Sequence, residues 1–102
     1  MINPVRTEWW LTQLGNLLIW ARLDVGEHGT ATVFDCDGRT LPYDSEDTAR
    51  SALLDANFRA LDGLDETDAA EMGLDLASLA PPKADSEEAL RARMTQQLLR
   101  QQ

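Results

Sequence analysis

His28 and Cys36 are the only histidine and the only cysteine in the chain, and together they would be the parts of a thiolate–imidazole nucleophile. That chemistry needs the two side chains within hydrogen-bond reach, and an acid to orient the imidazole. The run Thr30-Ala31-Thr32-Val33-Phe34 lies between them and reads as a strand. It separates them by roughly 20 Å or more, at about 3.3 Å per residue. A solvated histidine and a passive thiol are expected. One cysteine cannot close an intrachain disulfide, which fits a reducing compartment.

Asp35, Asp37 and Asp44 surround Gly38 in a pattern with some features of a calcium loop. An EF-hand needs oxygen ligands at alternating positions, a glycine at the sixth and a bidentate acid at the twelfth. Placing Gly38 sixth puts Val33 first and Asp44 twelfth. Valine offers no side-chain oxygen, so Asp35-Cys36-Asp37-Gly38 is read as a turn. Asp65, Glu66, Asp68 and Glu71 can gather on one side of a short helix. Acid–base work on a sugar would need two acids across a cleft, and a solvated face with cap residues is the simpler reading. No phosphate-cradling glycine motif and no Cys/His zinc spacing is present. The chain is therefore expected to be no enzyme, with no cofactor and no metal.

Trp9, Trp10 and Trp20 are the remaining conspicuous side chains. Neighbours on a strand point to opposite faces, so Trp9 and Trp10 cannot share one core. Either one of them anchors a partner, as aromatic residues do at interfaces, or the C-terminal helix covers the second face, or the indole lies half-buried against its neighbours.

These residues sit on elements that the hydrophobic pattern outlines. Thr7–Thr12 is rich in aromatic and β-branched side chains, Leu14-Gly15-Asn16 supplies a turn, and Leu17–Leu23 follows as a second strand. After a loop, Thr30–Phe34 and Arg39–Tyr43 continue an antiparallel meander of three or four strands. Pro42 confines the last of these to an edge. From Asp44 the period becomes helical. Asp44 or Ser45 caps a helix whose stripe is Ala49, Leu53, Ala56 and Ala60, ending at Asp62-Gly63. Asp65 caps a short helix through Met72 that Gly73 closes, and Asp75 caps one further turn before Pro81-Pro82. Asp85 or Ser86 starts a last helix with Leu90, Met94 and Leu98 as its stripe and arginines toward its end. The expectation is one α+β domain over residues 1–102. Its strands lie at about 6–43, and two to four helices at about 45–100 pack on the sheet.

Charge is the outstanding property of the chain as a whole. Eighteen acidic and nine basic residues give a net charge of −9. Residues 44–88 hold thirteen of the acids and three bases, while residues 89–102 hold three arginines and no acid. Such a field repels phosphate backbones and anionic lipid and attracts basic surfaces, so no direct nucleic-acid binding is expected. No apolar run reaches the roughly 18 residues of a membrane span, and no signal-peptide pattern opens the chain. A cytoplasmic location without membrane contact is expected. In size and charge the chain resembles small acidic inhibitor and immunity proteins, and mimics that occupy basic clefts. That resemblance implies a non-catalytic interaction domain binding a basic protein surface. The contact residues expected are Glu46, Asp47, Asp62, Asp65, Glu66 and Asp68, with Trp9, Trp10 or Trp20 as apolar anchor. The first alternative is a self-associating structural or regulatory domain, a homodimer through the Leu90–Met94–Leu98 helix or an exposed sheet face. The second, ranked lower, is a small-ligand-binding protein or enzyme, which needs a pocket with convergent polar groups.

Overall fold

A computed structural model describes residues 5–97. The fold is α+β. Four strands, β1 (Arg6–Leu14), β2 (Leu17–Val25), β3 (Ala31–Phe34) and β4 (Thr40–Tyr43), form the expected antiparallel meander. Then come α1 (Glu46–Asp55), a two-residue strand β5 (Arg59–Ala60), α2 (Glu66–Glu71), α3 (Glu87–Arg93) and a last strand β6 (Thr95–Gln97), with 3-10 turns at Leu61–Gly63 and Leu76–Ser78. The sheet order is β4-β3-β2-β1-β5. Among the described residues no helix is long and apolar enough to cross a membrane.

The β1–β2 hairpin organises everything else. Its register sets Trp10 opposite Ala21 and Leu11 opposite Trp20, so the two bulky pairs fall on opposite faces. The first face holds Trp10, Ala21, Leu23, Val25, Ala31 and Val33, covered by Ala49 and Leu53 of α1. The second holds Leu11, Leu18, Trp20 and Phe34, covered by Leu64, Ala69, Leu90 and Met94 from α2, α3 and their flanking turns. Both faces are therefore core. Trp10 and Trp20 are 2% and 0% exposed, which corrects their reading as surface anchors: a partner cannot reach an indole enclosed this way. Trp9 is half-buried, its ring edge-on to Trp20 at 6.1 Å.

Local capping follows the sequence closely at most ends. Ser45, Asp65, Asp75 and Ser86 each accept a backbone N–H at the start of their helix or turn, and Asp65 with Asp68 completes a capping box. Only Gly15 in the β1–β2 turn has positive φ, as a type II′ hairpin requires.

Two ends differ from expectation. α1 stops at Asp55 instead of Asp62, because Asn57 turns left-handed at φ 68°. Phe58 N–H then bonds Leu53 O at 2.9 Å and Asn57 N–H bonds Leu54 O at 3.0 Å, the Schellman pairing that ends a helix. This frees Arg59 and Ala60 to pair with β1. The last helix ends at Arg93, and the chain continues as β6 against Leu17, Leu18 and Ile19 of β2. β3 reaches only Arg22–Val25, so this stretch of β2 would otherwise be an open edge. Leu98 and Arg100, read into the same helix, lie outside the described residues.

Met94 joins these parts: its side chain is fully enclosed and its carbonyl accepts the Trp20 N–H at 2.8 Å. Met94→Ala is expected to cost about 2–5 kcal/mol of unfolding free energy through the cavity it leaves, read as a lower urea midpoint. Asn57→Val should cost about 1–2 kcal/mol, because a β-branched residue pays the left-handed penalty in full. Asn57→Gly should cost nothing or stabilise the fold.

Candidate functional site

The acids expected to form a contact surface are not equivalent in the fold. The first turn of every α-helix carries an acid bound by an arginine of the sheet. Glu46 of α1 meets Arg6 of β1, Asp68 of α2 meets Arg59 of β5 at 3.0 Å, and Glu87 of α3 meets Arg22 of β2 at 3.1 Å. Glu46 also takes the Arg50 Nε at 2.9 Å, and Arg50 reaches on to Glu8. The Arg50 guanidinium lies 5.6 Å from the Trp10 ring, whose indole N–H donates to Glu8 at 3.3 Å. Glu46 and Asp68 are thus committed to holding helices on the sheet, and Asp65 is occupied as a cap. Asp47, Asp62 and Glu66 are exposed and have no ion pair with lysine or arginine among the described residues.

Two hollows bring further residues together. Trp9 and Asp62 line the same one, about 310 Å³ in volume, with Glu8, Arg50, Ala60 and Gly63. Asp62 arrives there because α1 ends early: β5 docks Ala60 against Trp10, and the following 3-10 turn carries Asp62. Trp9 offers an aromatic surface and Asp62 a carboxylate without an ion-pair partner among the described residues, a combination suited to a basic side chain with an alkyl stem.

The second hollow is larger, about 470 Å³, and opens on the first face where α1 does not cover the sheet. Ile19, Ala21 and Val33 lie on its sheet side, Ala52, Ala56 and Phe58 on its helix side. In the sequence, Leu17 continues the period-two apolar stripe of Ile19, Ala21, Leu23 and Val25 outward to the β1–β2 turn, with Leu14 opposite it. The Asp35–Arg39 turn closes its far end. There one Asp35 carboxylate oxygen accepts both the Asp37 and Arg39 N–H groups at 3.0 Å, and the Arg39 guanidinium lies 3.2 Å from Asp35 and 3.6 Å from Asp37. The carboxylate is spent on the turn, as expected of a hairpin and not of an ion-binding loop.

Cys36 lines the larger hollow beside Asp35 and Asp37, and His28 lines neither hollow. His28 is exposed beside Glu27 at 3.5 Å, while Cys36 packs half-buried against the second-face core. Among the described residues no group of three or more His, Cys, Asp or Glu side chains is arranged to hold a metal ion. No family model, curated protein or solved structure matches the chain.

Glu46 sets a pH dependence. Hydrogen bonds from Arg50 and then Arg6 hold its carboxyl below the ordinary value of 4.5. A folded-state pKa lower than that of the unfolded chain contributes stability that is complete above about pH 4.5 and is lost as pH falls through the folded value. Glu46→Gln removes this contribution. The variant should be less stable than wild type at neutral pH, and the gap should narrow in acid, as followed by urea midpoints across the range.

Proposed function

We propose that this chain is a non-catalytic, cytoplasmic interaction domain that binds a basic protein surface, with Trp9 and Asp62 at the centre of the contact. The observation that carries the reading is the hollow they share. It pairs an aromatic surface with a carboxylate that no described arginine or lysine neutralises, on a molecule of net charge −9. Asp47 and Glu66 supply further exposed negative charge, and such charge steers a basic partner and speeds encounter. The partner chemistry that fits is a lysine or arginine whose stem lies on Trp9 and whose head meets Asp62. The acids most deeply tied into the fold, Glu46 and Asp68, support the surface by fixing helices rather than by touching the partner.

Affinity capture from a native lysate, run at low and at high ionic strength, tests this. Partners should be held at low salt and released at high salt. The set captured by wild type should be lost with Trp9→Ala, and each of Asp47→Asn, Asp62→Asn and Glu66→Gln should weaken it by about 2–5-fold. Partners held equally at both ionic strengths, or untouched by these substitutions, would sink the reading.

A further inference from the structure

We propose that the open part of the first face is a docking groove for an amphipathic helix presented by a basic partner. The proposal takes from the preceding reading only the sign of the partner's charge. β1 and β2 are nine residues each, which is about 30 Å at 3.3 Å per residue. α1 has ten residues and a helix is only about 10–12 Å across, so one helix leaves part of this face bare. The bare part is the 470 Å³ hollow beside half-buried Ile19. Its apolar surface continues past the hollow to the β1–β2 turn, where Leu14 is 67% and Leu17 38% exposed. That reach suits an extended occupant more than a small molecule.

The form of the occupant follows from backbone chemistry. A strand added along β4 would meet Pro42, which has no N–H to donate, and β5 already occupies the β1 edge at Trp10 and Leu11. A helix satisfies its own backbone and asks only for an apolar face beside α1, the mode in which an amphipathic helix lies in a groove. Its charge follows from the rim. α1 points its C-terminal end at the groove through Ala56 and Asn57, with Asp55 in its last turn and no basic residue there. The negative end of the helix dipole is therefore uncompensated locally. Across the groove Arg39 is bound by both Asp35 and Asp37, and Arg91 lies over Gly38 from the α3 side. A second copy would bring another net charge of −9 to the same place, which mutual repulsion opposes. A helix with leucines on one side and lysines on its flanks meets both demands.

The probe is a fluorescein-labelled synthetic helix of leucine and lysine, compared by anisotropy with a scrambled peptide of the same composition. Leu14→Asp and Leu17→Asp are the variants; both side chains are exposed, and circular dichroism checks that the fold is kept. The amphipathic peptide should bind more tightly than the scrambled one, and each variant should weaken it about tenfold by removing a leucine contact. The added acid makes the contrast sharp, because attraction by charge alone would strengthen binding to a lysine-rich peptide. Equal binding of the two peptides, or tighter binding by Leu14→Asp, overturns the proposal. So does a dimer in light scattering that Leu14→Asp dissolves, since a second copy would then fill the groove. Salt-sensitive capture through Trp9 and Asp62 that persists when the peptide fails would overturn this proposal alone.

Discussion

Side-chain alternation along β1 is the constraint on which the rest of the structure depends. Glu8, Trp9, Trp10 and Leu11 stand in sequence, so a strand must send large apolar groups to both of its faces. A sheet with one solvated face would expose one member of that set. The chain resolves this by dividing its helices: α1 goes to Trp10, while α2 and α3 go to Leu11 and Trp20. Small size makes the division costly, because neither cover is long. The second face receives two short helices and several turns, and the first receives one helix that does not extend over all of it.

Arginine makes these thin covers hold. Arg6, Arg22 and Arg59 each reach from a strand to the first turn of a different helix, where an acid is already favoured by the helix dipole. Arg50 and Arg22 also lie over Trp10 and Phe34 respectively, so the same groups shield aromatic surface. Exposed ion pairs are individually weak, and their role here is to orient helices over cores that supply most of the stability. The distribution has a second effect. The sheet's arginines are spent within the fold, and the acids left over lie mainly on the helical segment.

The sequence announced what is local. Strands β1 to β4 follow from aromatic and β-branched runs separated by Gly15 and Gly38. The caps at Ser45, Asp65, Asp75 and Ser86 follow from residues that bond their own neighbouring backbone. Two failures arose where distant pairing decided. Ala56 and Ala60 keep helical spacing, yet Asn57 between them accepts a left-handed backbone and β1 accepts the strand that results. Thr95-Gln96-Gln97 has little strand character of its own and becomes β6 because β2 has an unfilled edge there. The candidate surfaces were legible only in part. Trp9 and Asp62 were each visible, but their meeting depends on the early end of α1. The groove depends on how much of a face one helix can cover, which no local pattern encodes.

β6 also has a bearing on how the chain reaches this state. The β1–β2 hairpin closes across two residues and can form in microseconds. The pairing of Leu18 with Gln96, and the hydrogen bond from the Trp20 indole to Gln96 across 76 positions, must wait until nearly all of the described chain exists. Loop closure of that span carries its entropy before any contact repays it. During synthesis the hairpin therefore emerges with an apolar second face and an open backbone edge. The cover of that face and the pairing of that edge are complete only when the last described strand has left the ribosome.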